Sequence, residues 1–385
     1  MRKVCIVTGT RAEYGIMQNL IKLLHEDPKV ELQLLVTGMH LSPEFGNTNE
    51  TIIADGFPIS KKVEVLLSSD TPIGISKTMG LGMISFAEAL EELAPDIMVV
   101  LGDRFEIFSA VAAAMIARIP VGHIHGGEAT EGLIDESIRH SITKMSHIHF
   151  PATDEYRKRV IQLGEQPQRV FCTGTPGLDN IVPLNLLSKE EFQRSIEFDL
   201  EGSPTALLTF HPITLDFSSA EKQFDEVLAA LSARPEMKII FTMPNSDTDG
   251  RVIITMINDF VAKNPKQCKA FVSLGQLRYL SALKHVDLVI GNSSSGLIEA
   301  PSFKIPTINI GDRQKGRIKA ASVIDCEPTR LSIGQALNLA FDPNFKASLQ
   351  NLKNPYGEAG ASKKIKDILC EFDLKDIIKK NFYDL

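Results

Sequence analysis

The densest chemistry in the chain lies in residues 286–300. An apolar strand-like run, 286–290, leads into Gly291-Asn292-Ser293-Ser294-Ser295-Gly296 and then a helical run, 297–300. A strand, a tight Gly/Ser turn and a helix start make an anion site. Unpaired N–H groups point outward there, and the helix dipole favours negative charge. Ser293, Ser294 and Ser295 add hydroxyl donors, and Glu299 could accept hydrogen bonds from sugar hydroxyls. The suggested ligand is a nucleotide or nucleotide-sugar diphosphate; the bland alternative is an ordinary Asn/Ser helix cap. After the next strand comes Gly311-Asp312-Arg313-Gln314-Lys315-Gly316-Arg317. Its cations suit the same diphosphate, unless it is only a solvated basic loop.

Acid–base candidates cluster elsewhere. Thr8-Gly9-Thr10-Arg11-Ala12-Glu13-Tyr14-Gly15 follows the first strand, and Arg11 offers a planar fork for phosphate. The segment lacks the GxGxxG of nicotinamide and flavin sites. Asp103 stands at a strand end and could be a general acid or base, or a helix cap. In His123-Ile124-His125-Gly126-Gly127-Glu128, strand alternation puts His123 and His125 on one face, with Glu128 just beyond. Asp135, Ile138 and Arg139 share a helical face by spacing. Acids, an imidazole and a guanidinium without thiols suit proton transfer better than a metal, so no metal is expected. Core histidines and a solvated helix face would be the structural alternative. His211, in Phe210-His211-Pro212, ends a strand and could neutralise or protonate a leaving phosphate, or be merely structural.

These groups need strands to present them. Apolar runs at residues 4–7, 32–36, 97–101, 121–124 and 147–150 alternate with amphipathic helices. The second half repeats the pattern at 206–210, 238–242, 270–273 (ending on Ser273), 286–290, 307–310 and 322–324. Such alternation predicts parallel α/β layers. Val99-Val100-Leu101-Gly102-Asp103 echoes Leu288-Val289-Ile290-Gly291-Asn292, and each is followed by an apolar helix and an Ile-Pro step. The reading is two Rossmann-like domains, residues 1–166 and 167–363, with mostly parallel sheets facing a central cleft. Helices over 364–385 pack back across them. Ligands bind at strand carboxyl ends in such sheets.

The chain has 385 residues, 43% hydrophobic and 23% charged, with a net charge of −7. That length suits two cores, and that charge argues against a nucleic-acid surface. Five scattered cysteines give no zinc or disulfide framework, and Cys5 and Cys172 read as packed thiols. No signal peptide or bilayer-length apolar run is evident, so a cytoplasmic protein without membrane partners is expected.

Taken in order, Thr8–Gly15, Gly102–Glu106, His123–Glu128, Asp135–Lys144, His211-Pro212, Pro244-Asn245-Ser246-Asp247, Gly291–Glu299 and Gly311–Arg317 resemble the hydrolysing UDP-N-acetylglucosamine 2-epimerases of sialic-acid biosynthesis. The resemblance covers nearly the whole chain. It implies a GT-B-like fold, no cofactor, and a homodimer or homotetramer. It implies catalytic roles for Asp103, Asp135 and His211. It implies substrate contacts from Arg11, Arg139, Asn245, Asp247, Ser273, the three serines, Glu299, Arg313 and Arg317. Many relatives have Glu where this chain has His125, so either His125 or Glu128 takes that role. The implied reaction eliminates UDP to a 2-acetamidoglucal, then hydrates it to N-acetylmannosamine. The same chemistry on a UDP- or GDP-linked 2,4-diacetamido-2,4,6-trideoxyglucose is the nearest alternative. A GT-B glycosyltransferase and a non-catalytic nucleotide-sugar sensor are more distant ones.

Overall fold

A computed structural model describes residues 1–385 other than 68, 70, 132, 182–183, 213–219 and 245–249. Its first sheet contains β1 (Arg2–Thr8), β2 (Val30–Thr37), β3 (Lys61–Val63), β4 (Ile97–Leu101), β5 (Val121–Ile124) and β6 (Ile148–Phe150). Its second contains β7 (Thr205–Thr209), β8 (Lys238–Thr242), β9 (Cys268–Phe271), β10 (Leu288–Gly291), β11 (Thr307–Ile310) and β12 (Val323–Cys326). The strand orders are β3-β2-β1-β4-β5-β6 and β12-β11-β10-β7-β8-β9. Every pairing is parallel. Read from each sheet's own first strand, the two windings are identical. Both have a switch point beside that strand, β1/β4 in one sheet and β7/β10 in the other.

Parallel strands must be covered on both faces, which explains their unbroken apolar runs. In β1, Val4 and Ile6 pack with Met17, Leu20 and Ile21, whereas Cys5 and Val7 join Phe86, Leu90 and Ile107 on the other face. In the second sheet Ala206, Leu208 and Phe210 pack with Phe224, Leu231, Phe241 and Ile253. Cys5 is a packed core thiol as expected, with burial pushing it up to about 12. Cys172 is exposed instead, because its neighbours, not its own side chain, carry the apolar packing.

The chain divides into two compact units. One comprises Met1–Glu128, Ile134–Pro183 and Tyr356–Leu385; the other comprises Ala129–Leu133 and Leu184–Pro355. The first unit therefore runs past the expected boundary at 166. Its added stretch is anchored by Asn180, whose Nδ2 donates to the Gly15 carbonyl at 2.7 Å. Asp179 also accepts the backbone N–H groups of Gly360, Ala361 and Ser362, which start the helix Ala361–Glu371. That carboxylate at a helix start ties the C-terminal segment to the first unit.

The helix Arg11–His25 begins with a capping box: the Thr10 hydroxyl accepts the Glu13 N–H, and the Glu13 carboxylate reaches back to the Thr10 N–H. Glu13 Oε2 also accepts the Gly9 N–H at 2.7 Å. A Cβ at position 9 would stand 2.8 Å from Glu106 Oε1, so a larger residue there would require the buried Glu106 side chain to shift. Burial, then the nearby Glu106, push the Glu13 carboxyl up to about 8, against Arg104 and the two backbone donors.

In the unfolded chain Glu13 ionises near 4.5, so folding takes up a proton between that value and about 8. Stability contributed by this proton is complete below the lower value and is lost as pH rises through the upper one. Glu13→Gln keeps an acceptor for the turn and removes the ionisation. Melting curves should show the wild type losing ground to this variant between about pH 5 and pH 8. Parallel pH dependences would contradict the assignment.

Candidate active site

In the first unit the site is built at the ends of β1, β4 and β5. Arg139 lies in the helix Asp135–Met145 and is 1% exposed. Its Nη2 donates to Asp103 Oδ2, just past β4. Its Nη1 donates to the Glu128 carbonyl at 3.0 Å, past β5, and to Glu136 Oε2 at 2.8 Å. A guanidinium is always charged and carries only donors, so burial requires acceptors around it. These bonds fix where Asp103 stands. They also fix the helix whose first residue, Asp135, is half-buried. Arg11 begins its own helix at the end of β1, also half-buried.

The two histidines of the His-Ile-His run do not share a role or a surrounding. His123 is held inside: Nε2 lies 2.7 Å from the Gly102 carbonyl and Nδ1 3.1 Å from Thr143 Oγ1. The carbonyl can only accept, so Nε2 carries the proton. Burial lowers the His123 pKa to about 3. His123 is thus a neutral brace under the turn that presents Asp103. His125 lies beyond the end of β5 with φ +66°, which breaks the strand alternation expected of it. Its Nε2 is 2.9 Å from Thr175 Oγ1 and its Nδ1 is 3.4 Å from Glu128 Oε1.

In the second unit His211 follows β7 and Asn292 follows β10. The Asn292 amide clamps the His211 backbone from both sides. Oδ1 accepts the His211 N–H at 2.7 Å and Nδ2 donates to the His211 carbonyl at 2.8 Å. The Asn292 carbonyl in turn accepts Arg313 Nη1 at 3.0 Å and Gln314 Nε2 at 2.8 Å. Arg313 is therefore drawn to the serine turn. Arg317 is half-buried two residues beyond Lys315. Gly291 sits at φ +126°, where a Cβ would fall 1.9 Å from the Thr209 carbonyl; only glycine permits this approach of β10 to β7.

The serine turn differs from expectation in one respect. Its helix is a single turn, Ser295–Ile298, which gives way to a 3-10 turn at Ala300–Phe303. Pro301 cannot continue an α-helix, so the dipole is short and local donors matter more. Ser295 already accepts from Tyr279 OH at 2.6 Å, and its N–H points at Ser293 Oγ, 3.4 Å away. Ser294 precedes the turn and Glu299 closes it. Ser273 accepts the Gly275 N–H at 3.1 Å, holding the bend after β9. Asn245 and Asp247 lie outside the described residues.

Among the described residues no group of three or more His, Cys, Asp or Glu side chains could hold a metal. Among the described residues no helix is long and apolar enough to cross a membrane. Three polar groups at the site escaped the sequence reading: Glu136, Thr175 and the side chain of Asn292. Glu136 was legible as the residue three before Arg139 on a helix. The other two act across 50 and 81 residues of chain, a separation that no local pattern reveals.

The sequence profile of a family described as UDP-N-acetylglucosamine 2-epimerase matches residues 22–370. The chain is 42% identical over 385 residues to the GDP/UDP-N,N'-diacetylbacillosamine 2-epimerase (hydrolyzing) of Campylobacter jejuni, covering 100% of this chain and 99% of that one. It is 41% identical over 387 residues to polysialic acid biosynthesis protein P7 of Escherichia coli, covering 100% and 98%. The crystal structure of UDP-GlcNAc 2-epimerase from Neisseria meningitidis, bound to UDP-GlcNAc, superposes with a TM-score of 0.82 at 20% identity, covering 95% of this chain and 99% of that one. At that identity the likeness is one of fold, and the fold is GT-B-like.

Replacing Arg139 by Met keeps most of the volume but leaves Asp103 and Glu136 without their shared cation. Urea unfolding of Arg139→Met should show a loss of roughly 3 kcal/mol, the order seen when one partner of a buried ion pair is removed. A loss within experimental error would show that the guanidinium does not organise the site.

Proposed function

The chain belongs to the UDP-N-acetylglucosamine 2-epimerase family, and on that premise we propose that it is a hydrolysing 2-epimerase of a nucleotide-linked 2-acetamido sugar. The observation that carries this reading is Arg139, which gathers Asp103, the Glu128 carbonyl and the Asp135 helix at the switch-point side of the first sheet. Carboxylates so placed suit removal and return of a proton.

The reaction proceeds in two steps. A base takes the C2 proton as the C1–O bond breaks and the nucleoside diphosphate leaves, giving a 2-acetamidoglucal. Water then adds its oxygen to C1 while C2 receives a proton on the opposite face, releasing the free sugar with C2 inverted. The C2–H is a weak acid, so placement and stabilisation of the departing diphosphate must lower much of the barrier. Asp103 and Asp135, with His125 or Glu128, exchange the protons. His211, Arg313, Arg317, Glu299 and the serine turn hold the nucleotide and its diphosphate, with Arg11 and Arg139 on the sugar–phosphate side.

Two sugars are supported. The name of the Campylobacter relative supports a UDP- or GDP-linked N,N'-diacetylbacillosamine. The family description supports UDP-N-acetylglucosamine, giving N-acetylmannosamine. Incubation with a panel of these nucleotide sugars, with products identified by NMR, tests both. Turnover of none would remove the proposal. Asp103→Asn and Asp135→Asn should each lower kcat on the preferred sugar by roughly 10²-fold, within the range of a positioned acid–base group. Calorimetry should show UDP binding retained. Near-normal turnover in both would return the two carboxylates to structural roles.

We also propose that the first unit pairs with a second copy of the chain. The helices Pro72–Leu93 and Phe105–Ala117 pack on each other and present Ile73, Ile84 and Ile116 at 65–72% exposure. On the second of these helices Ile107 and Val111 are fully buried core residues, whereas Met115 is exposed. Exposed isoleucines on neighbouring helices suit a symmetric apolar contact. Light scattering should give a homo-oligomer that Ile84→Glu with Ile116→Glu dissociates. A wild-type monomer at micromolar concentration would contradict this.

A further inference from the structure

We infer that Thr175 is a positioning residue that sets the protonation geometry of His125. This inference deepens the proposed function and rests on it only for its kinetic readout. His125 takes a left-handed backbone, φ +66°, immediately before Gly126 and Gly127. Such a conformation is costly for a residue with a side chain, and glycine would adopt it freely. The chain nonetheless places an imidazole there, and the His125 N–H is fixed to the Phe150 carbonyl at 3.2 Å. The strained position points to a use for the ring.

Both ring nitrogens meet buried groups. Nδ1 faces Glu128 Oε1 at 3.4 Å, and Nε2 faces Thr175 Oγ1 at 2.9 Å. Glu128 is 1% exposed and Thr175 is fully buried. The two partners differ in kind. A carboxylate only accepts, so it calls for a proton on Nδ1. A hydroxyl can donate or accept by rotating about one bond. With neutral imidazole, Thr175 donates to the Nε2 lone pair. With imidazolium, Thr175 turns and accepts the hydrogen bond that Nε2–H donates. The ring therefore keeps a partner at Nε2 without moving, whether it is neutral or protonated. The charge contact with Glu128 favours the Nδ1–H tautomer of neutral His125, opposite to His123, whose Nε2 must donate to the Gly102 carbonyl.

Thr175 is close in shape to valine, so Thr175→Val removes the hydroxyl alone, and Thr175→Ser restores it. Long-range ¹⁵N–¹H spectra, with His125 assigned by loss of its signals in His125→Asn, report the tautomer without any turnover. The wild type at alkaline pH should show Nδ1–H for His125, and Thr175→Val should show a mixed or reversed tautomer. On whichever sugar the wild type turns over, Thr175→Val should lower kcat on the order of 10-fold or more, part of the roughly 10²–10⁴-fold that a positioned acid–base group supplies. KM should change little, and Thr175→Ser should recover most of the rate. A wild-type His125 in the Nε2–H form would overturn the inference even if Thr175→Val fails to fold. So would an unchanged tautomer in Thr175→Val, or a rate loss that serine does not rescue. Absence of turnover in the wild type would count against the proposed reaction and leave the tautomer result to decide the role of Thr175.

Discussion

A buried guanidinium must be surrounded by acceptors, and in this protein that requirement fixes the geometry of the first unit's site. Arg139 draws its acceptors from three places: the turn after β4, the loop after β5, and its own helix. Satisfying one cation therefore sets the position of Asp103, the path of the His125–Glu128 loop and the rotation of the helix that starts with Asp135. His123 supports the same turn from within as a neutral brace. Apart from the Arg139–Glu136 pair within one helix, these bonds join separate elements, so the site forms only when the sheet has formed.

The second unit uses the same winding with a different device. β4 and β10 occupy the same place in their sheets, each beside the first strand. The equivalent residues just past them differ only in the side-chain end group: Asp103 two positions beyond β4 and Asn292 one position beyond β10. Asp103 is paired with a cation. Asn292, an amide with both donor and acceptor, grips the backbone of His211 and passes its own carbonyl to Arg313 and Gln314. The change from carboxylate to amide converts a charged corner into a rigid neutral one beside the basic loop.

Much of this was legible in the sequence. The parallel α/β layers, the strand-end placement of Asp103, His125, Glu128 and His211, and the equivalence of residues 99–103 with 288–292 all follow from apolar runs and their endings. β3 was missed because Lys61-Lys62-Val63 is a short, charged edge strand, and edges need no apolar alternation. The pairing of His123 with His125 was misread because strand alternation stops where His125 enters a left-handed turn. The helical run expected over 297–300 is a single α-turn, Ser295–Ile298, followed by a 3-10 turn that contains Pro301. The tail anchoring by Asp179, the Thr175 contact and the Asn292 clamp join segments far apart in sequence. Such contacts depend on tertiary packing and leave no periodic trace.

In the proposed reaction the carboxylates and imidazole of this site remove a proton from sugar C2 and return one from the medium. A reaction run to completion in heavy water reads this directly. One solvent-derived deuterium is expected at C2 of the released sugar, seen as the loss of the C2 proton signal by NMR and a mass increase of one unit. A product that keeps the original C2 proton would contradict elimination followed by hydration, whatever the nucleotide or sugar.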